Sequence, residues 1–121
     1  MVIKEYFKDE ELRCRCCGAI NMKQDFMEQL YLARIIAGSY NIPFIINSGY
    51  RCEKHNAEVG SKYNNHPSGR AVDIACIDSR ARSIIVHSLI QAKFNRIGIA
   101  HNMIHVDNMD REGQEHGMWL Y

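Results

Sequence analysis

The sequence lacks a strong excess of charge of either sign. Fifteen Lys and Arg residues stand against fourteen Asp and Glu residues, so the formal net charge is +1. Proteins that bind nucleic acid through its phosphate backbone need a positive field, and this chain has almost no net charge from which to build one. The composition therefore predicts no nucleic-acid partner.

The sequence also lacks a long apolar run. A membrane-spanning helix needs about 20 consecutive apolar residues, and no segment approaches that length. The N-terminal stretch MVIKEYFKDEELRC carries acidic side chains where a secretory leader would be apolar. We therefore expect neither a membrane span nor a signal peptide.

Proline and low-complexity sequence are scarce as well. The two prolines, Pro43 and Pro67, fall at predicted element boundaries, and no internal repeat or linker-like tract is visible. A composition of 46% hydrophobic and 24% charged residues is typical of folded globular proteins. Because domains commonly have about 100–150 residues, the length predicts a single domain over residues 1–121.

Cysteine is present in an odd number, five. Cys14, Cys16 and Cys17 form a C-x-C-C run, whose spacing is not the C-x2-C of a zinc knuckle, and no second C-x2-C completes such a site. We therefore expect reduced, mostly buried thiols with a structural role. The alternative is a four-ligand zinc site that uses Cys14, Cys16 or Cys17 together with Cys52 and His55.

Hydrophobic periodicity predicts helices that alternate with short strands. Apolar side chains recur at three- and four-residue steps before Gly38, and Asp78 is a suitable N-cap for a later helix. The closely spaced last strands favour an α+β fold, with a small antiparallel sheet flanked by helices, over a doubly wound fold. The predicted segments are helices over 23–37, 53–59 and 79–92, strands over 44–46, 71–76, 96–100 and 103–107, a turn over 47–49 and a polar loop over 61–69.

The last two predicted strands form a hairpin. They alternate with period two around His101 and Asn102, and two residues are the length of a tight hairpin turn. A glycine opposite a histidine in this register predicts open space beside the imidazole, as a ligand-bearing strand requires. The predicted pairs are Ile99 with Ile104, Ile97 with Val106, Gly98 with His105 and Arg96 with Asp107.

Three residues form a candidate zinc site. His66 lies in the polar loop, Asp73 on the strand that follows it, and His105 on the hairpin. Asp73 points away from the apolar face of its strand, because side chains alternate along a strand. Two imidazoles and one carboxylate are zinc-competent ligands, and three protein ligands leave a fourth position for water, as catalytic zinc sites do.

Several short motifs occur in a specific order. They are Phe7 with EL (11–12) and C-x-C (14–16), SGYRC (48–52), HN (55–56), VG (59–60), HPSGRAVDI (66–74), IGI (97–99), IHVD (104–107) and WLY (119–121). With these motifs in this order, the chain resembles the M15 zinc peptidases, the family of D-alanyl-D-alanine carboxypeptidases and endolysin peptidases. Within that family it is similar to the small single-domain branch often encoded by phages and prophages.

The resemblance implies a hedgehog/DD-peptidase-like fold and a set of site residues. One Zn²⁺ ion would be held by His66, Asp73 and His105. Arg51 would bind the substrate carbonyl or carboxylate and stabilise the oxyanion, a role that suits the planar, permanently charged guanidinium. Ser48, in the same motif, would join Arg51 in binding substrate.

The sequence departs from the family pattern at the proton acceptor. Several members carry Glu or Asp three residues before the last histidine ligand, where this chain has Asn102, which takes up no proton at neutral pH. Two further departures are Met103, where some members have His, and Asn64, where Ser is usual. The remaining candidates for a catalytic base are His101 and Asp107. We favour His101, because an imidazole titrates near neutral pH.

The expected function is hydrolysis of a peptide bond in the bacterial peptidoglycan stem peptide, by D,D-carboxypeptidase or endopeptidase action. The resemblance implies a monomer made in the bacterial cytoplasm from a phage or prophage, acting at the cell wall after release. One alternative is a zinc-bearing but inactive domain that binds cell wall or protein, as in hedgehog signalling domains of similar fold. Another is a tail-associated phage protein with incidental wall hydrolysis.

Overall fold

The computed structural model describes residues 7–60 and 65–121. Residues 61–64, and with them the first part of the predicted polar loop and the Asn64 departure, lie outside the described residues. No helix in the described ranges combines the length and hydropathy needed to cross a membrane. The elements are α1 (Asp9–Leu12), α2 (Gln24–Gly38), β1 (Ile46–Ser48), α3 (Glu53–Glu58), β2 (Ala71–Ala75), α4 (Ser79–Gln91), β3 (Arg96–Ile99), β4 (Met103–Asp107), a 3₁₀ helix (Met109–Glu112) and β5 (Gly117–Leu120).

The strands form one sheet in the order β1-β2-β4-β3-β5. Neighbouring strands are antiparallel except β3 and β5, which are parallel. Helices α2 and α4 pack against each other and against the sheet through one cluster of buried apolar side chains. This arrangement confirms the predicted α+β fold with a mainly antiparallel sheet.

The β3–β4 hairpin has the predicted register. Gly98 lies opposite His105, and Ile97 lies opposite Val106. The Ala100 N–H donates to the carbonyl of Met103 at 3.0 Å, which closes the predicted two-residue turn. Because side chains alternate along each strand, the isoleucines and Val106 point to the core and His105 points to the opposite face.

The hydrophobic core lies on one face of the sheet. Asp78 caps α4 as predicted, since its side chain accepts the Ala81 N–H at 2.8 Å. Burial of each large apolar side chain contributes about 1.5–3 kcal/mol to stability, which favours the packing of helices on this face. Polar side chains are therefore confined to the opposite face. The contributors from strands and helices include Val72, Ile74, Ile97, Ile104, Val106, Phe26, Leu30, Ile85 and Leu89.

The prediction for the first strand is wrong in position. The strand covers Ile46–Ser48 rather than residues 44–46, so two residues of the predicted turn belong to it. Ile46 pairs with Ile74 and Ser48 with Asp73, with an irregularity between the two pairs. Glu11 accepts the Ile46 N–H at 2.9 Å. Pairing with β2 therefore outweighs the turn preference of the polar residues.

The space that Gly98 leaves is filled, because residues 117–120 form a fifth strand, although His105 does line a cavity on its other side. β5 pairs in parallel with β3 and places Trp119 opposite Gly98. A Cβ atom on Gly98 would lie 2.5 Å from Trp119 Nε1 and 2.7 Å from Tyr121 Cε2. The glycine is thus needed for the close approach of two aromatic rings, and the space it leaves is occupied by the protein itself.

We expect Gly98→Ala to destabilise the fold by about 1–3 kcal/mol, the usual cost of forcing a methyl group into a packed contact. Urea denaturation followed by far-ultraviolet circular dichroism measures the change. Gly117→Ala is the matched control, because a Cβ there meets no atom within 4 Å. Equal stability of the two variants would show that the aromatic rings move aside without cost.

Candidate metal centre

A cavity of about 620 Å³ opens on the face of the sheet opposite the core. It lies over β2, β4 and β3, and the C-terminal aromatic residues form part of its wall. Its floor carries the polar side chains that alternate with the buried apolar ones. The lining residues are Arg51, Asn65, His66, Asp73, Arg96, Met103, His105, Gln114, Trp119 and Tyr121.

The three predicted metal ligands meet in this cavity. Asp73 on β2 lies directly opposite His105 on β4. His66 comes from the turn before β2, which is held to the N-terminal side of α2 by a hydrogen bond from the Lys23 N–H to the Gly69 carbonyl at 2.9 Å. One ligand atom from each of the three residues lies within 4.8 Å of the others.

The donor set fits a divalent metal ion. His105 Nδ1 lies 2.9 Å from Asp73 Oδ1, and His66 Nε2 lies 3.4 Å from Asp73 Oδ2. Both imidazoles are nearly buried, at 5% exposure each. Two nitrogens and one oxygen that converge from three segments are the ligands zinc takes in catalytic sites.

Hydrogen bonds on the far side of each ring set the nitrogen that faces the cluster. His66 Nδ1 lies 2.7 Å from the Gly49 carbonyl and donates to it. His105 Nε2 lies 2.7 Å from Asp107 Oδ2 and donates to that carboxylate. His66 Nε2 and His105 Nδ1 are then the lone-pair atoms turned to the cluster. Metal-binding histidines are usually oriented by such partners.

A family model described as peptidase M15 matches residues 5–107, which include the whole ligand cluster. The chain belongs to the peptidase M15 family. M15 peptidases are zinc-dependent, so the metal expected from the donor set agrees with the metal of the family. No curated protein matches the chain.

Asp107 of this M15 chain is a positioning group for His105. It is fully buried, and its Oδ2 accepts hydrogen bonds from His105 and from Asn65 at 3.0 Å. Its Oδ1 accepts from Arg96 at 2.6 Å and from the Met109 N–H at 3.0 Å. Burial opposes its ionisation, but these donors hold the pKa of Asp107 below its usual range. Both oxygens are thus occupied.

Arg51 lies in the same cavity as the ligands. Its Nη2 is 3.7 Å from Asp73 Oδ2, and its side chain is 15% exposed. Its Nε is buried and has no hydrogen-bond partner among the described residues. Burial lowers the pKa of Arg51 although the Asp73 carboxylate opposes the shift. A buried guanidinium with an unused donor is suited to a planar oxyanion or carboxylate.

The structure adds cavity residues to which the sequence assigned no role at the site. Trp119 packs against the His105 ring with centroids 5.7 Å apart, and the Arg96 guanidinium lies 5.1 Å above the Trp119 ring. Gln114 donates to Asn65 at 3.2 Å. The apolar and aromatic run over residues 117–121 is a sequence signal for a strand, and in β5 Trp119 and Tyr121 share one side. The sequence around Asn65 and Gln114 carries no periodic signal.

Two predicted site residues lie elsewhere. Ser48 is opposite Asp73 in the sheet but is not among the described residues that line the cavity. His101 is exposed in the hairpin turn, where its carbonyl accepts a hydrogen bond from Arg82 of α4 at 2.9 Å. Because α4 covers the core face of the sheet, this contact holds the turn away from the metal ligands.

The prediction of mostly buried thiols is wrong for part of the N-terminal run. Cys14 and Cys76 are buried and Cys52 is half-buried, but Cys16 and Cys17 are exposed. Exposure follows from their position in a tight loop after α1, where only the first cysteine faces the core. The structure gathers Cys14, Cys17 and Cys52, and His55 is not part of that group.

In the metal-free protein we expect His105 to titrate above the ordinary histidine pKa. Burial opposes its charging, but Asp107 and Asp73 outweigh burial and raise its pKa. A raised pKa stabilises the fold at pH values below about 6.5, and this contribution is lost as the pH rises through the folded-state pKa. Asp107→Asn should lower the pKa of His105, measured by NMR of the imidazole protons.

Asp110→Asn is the control for this titration, because it removes a nearby half-buried carboxylate that contacts Asn95 and His116 rather than His105. It should leave the His105 titration unchanged. An ordinary or lowered pKa of His105 in the metal-free protein would contradict the assigned contacts.

Proposed function

We propose that the chain is a zinc-dependent peptidase that hydrolyses a peptide bond in the bacterial peptidoglycan stem peptide. D,D-carboxypeptidase and endolysin-type endopeptidase action are both consistent with the cavity. The observation that carries the proposal is the convergence of His66, Asp73 and His105 in one cavity with a half-buried Arg51. Membership of the peptidase M15 family supports the reaction type.

The ligand residues would hold Zn²⁺ through His66 Nε2, Asp73 and His105 Nδ1. A zinc ion at such a site supplies Lewis acidity and lowers the pKa of water toward neutrality. The Gly49 carbonyl and the Asp107 carboxylate fix the two imidazoles from behind. The protein therefore presents the ligands already oriented, with little reorganisation required on binding.

Arg51 would bind the oxygen on which negative charge develops, or the terminal carboxylate of a carboxypeptidase substrate. Its distance of 3.7 Å from Asp73 Oδ2 places the guanidinium beside the ligand cluster. Preorganised positive charge near a developing oxyanion lowers the barrier more strongly in a desolvated cavity than in water. Arg51 lines the cavity, so its guanidinium can reach a group bound there.

The geometry supports a positioning role for Asp107 rather than the role of catalytic base. A carboxylate whose two oxygens already accept four hydrogen bonds is poorly disposed to receive a proton from water. His101 stays a prediction as the base, and its use would require the hairpin turn to leave its contact with Arg82. His101→Ala tests that prediction through the acid side of the pH–rate profile.

A second candidate function is binding of cell wall or protein by a zinc-bearing but inactive domain. It is favoured by the composition of the described cavity wall. Apart from the three ligands, that wall contains no carboxylate or imidazole. A peptidase needs a group that accepts the water proton, and the described cavity wall offers no such group beyond the ligands. Release of peptide products from peptidoglycan separates the two functions.

The location and assembly of the protein are also proposals. Action on peptidoglycan from a phage or prophage gene would take place at the wall, after release from the bacterial cytoplasm. We propose a monomer, because a single chain contributes all three ligands and Arg51 to the cavity.

The zinc-loaded protein should release peptide products from purified peptidoglycan, identified by mass spectrometry. Asp73→Ala should abolish release and lower zinc content at this site, because it removes the only carboxylate ligand of the cluster. Asp110→Ala is the control, since Asp110 is a carboxylate outside the cavity. Binding of the wild-type chain to insoluble wall without any product would favour the binding function instead.

Arg51→Ala should lower kcat/KM by about 100- to 1,000-fold with zinc content unchanged, because it removes charge stabilisation but no ligand. Arg51→Lys should restore little, since an ammonium lacks the planar fork. Comparing stem peptides with free and amidated C-termini then separates the two modes. A carboxypeptidase loses the amidated substrate, and an endopeptidase keeps it. Wild-type turnover by Arg51→Ala would contradict the proposed role.

A further inference from the structure

Four cysteines lie together where the N-terminal segment meets the loop after β1. The Sγ atoms of Cys14, Cys17 and Cys52 lie within 4.8 Å of one another. Cys16 precedes Cys17 in the same exposed loop, and all four are free thiols. Around a tetrahedral zinc ion with bonds of about 2.3 Å, sulfur atoms lie about 3.8 Å apart. The cluster is close to that spacing.

The chain turns back on itself between the first and third of these cysteines. Cys14 and Cys17 have the C-x2-C spacing within the C-x-C-C run. The expectation that this run lacks a C-x2-C pair is therefore wrong. The Gly18 N–H donates to the Cys14 carbonyl and the Cys14 N–H to the Ala19 carbonyl, each at 2.8 Å. Gly18 has φ +75°, a conformation that glycine adopts readily. This tight loop turns Cys17 toward Cys14.

Backbone N–H groups point at the sulfur atoms. The Cys52 N–H donates to Cys14 Sγ at 3.3 Å, and the His55 N–H donates to Cys52 Sγ at 3.4 Å. These donors stabilise the thiolate, which is the form of cysteine that binds metal.

We infer a second metal site, in which Cys14, Cys17 and Cys52 bind a structural Zn²⁺ ion and the exposed Cys16 supplies the fourth thiolate. Four thiolates in tetrahedral arrangement suit zinc or iron and disfavour hard ions such as Mg²⁺ and Ca²⁺. His55 contributes its backbone N–H rather than its ring, whose Nδ1 lies 4.0 Å from Glu58 Oε1. This site is separate from the cluster in the cavity.

An ion at this position would cross-link two segments that support the cavity. The Tyr50 N–H donates to the Leu12 carbonyl at 3.0 Å, so the loop after β1 already rests on the N-terminal segment. That loop carries Arg51 next to Cys52, and its Gly49 carbonyl orients His66. The inferred zinc ion would thus hold in place the residues that the proposed peptidase activity needs.

The test uses the full chain with His66→Ala and Asp73→Ala, which removes the cavity cluster and makes the result independent of the proposed function. Protein is reduced, stripped of metal, and loaded with Zn²⁺ or Co²⁺. We expect one bound zinc per chain, a sulfur-to-cobalt charge-transfer absorption, and protection of four thiols from alkylation. Cys17→Ser should weaken zinc binding by at least about 100-fold, more than loss of an outer partner does.

Cys17 is exposed, so its substitution leaves the core intact, and circular dichroism checks that the variant folds. Cys76→Ala is the matched control, because Cys76 lies outside the cluster and its loss should leave zinc and cobalt binding unchanged. Absence of bound zinc in the variant with His66→Ala and Asp73→Ala would overturn the inference. So would a cobalt spectrum that is insensitive to Cys17→Ser, or alkylation of all cluster thiols in the presence of zinc.

Discussion

The antiparallel pairing of β2 with β4 determines where the metal ligands lie. It sets Asp73 opposite His105, so that a carboxylate and an imidazole face each other across one pair of strands. Since side chains alternate along a strand, a slip of one residue would turn Asp73 into the core and Ile74 into the cavity. Burial of Val72, Ile74, Ile104 and Val106 on the other face prevents that slip. The apolar residues thus fix the position of the polar ones.

The same pairing places His105 between two carboxylates, with Asp73 on Nδ1 and Asp107 on Nε2. Each carboxylate has an arginine close to it: Arg51 near Asp73, and Arg96 hydrogen-bonded to Asp107. Buried charges are tolerated only when they are paired and hydrogen-bonded. Asp107 satisfies that condition with protein donors alone. Asp73 and the Nδ1 side of His105 instead face the cavity, where a metal ion can accept the lone pairs of the carboxylate and the imidazole.

Local features of the fold were predictable from the sequence, and long-range ones were not. The β3–β4 hairpin register follows from period-two alternation around a two-residue turn, so nearby residues contain all the necessary information. β5 is only four residues long and pairs with a strand far from it in sequence, so no local pattern specifies its partner. The position of β1 was predicted wrongly for a similar reason. Its polar residues favour a turn, and they form a strand because β2 supplies hydrogen-bond partners.

The residues of the candidate site were likewise only partly predictable from the sequence. His66, Asp73 and His105 could be identified because their residue types and order match a family pattern. The role of Asp107 could not be read from sequence, because it depends on burial and on four hydrogen-bond donors from distant positions. The cysteine cluster likewise depends on the fold, since contacts between segments distant in sequence bring Cys52 to the N-terminal loop.

β5 has a consequence for how well the cavity is closed. It is an edge strand, paired on one side only, and its outward residues Met118 and Leu120 are largely exposed. A strand held on one side only can separate from its sheet while the other strands stay paired. Trp119, which packs against His105, belongs to this strand. Opening of this one edge would therefore expose the buried imidazole to solvent without global unfolding, and it would be visible in the hydrogen-exchange rates of the β5 amides.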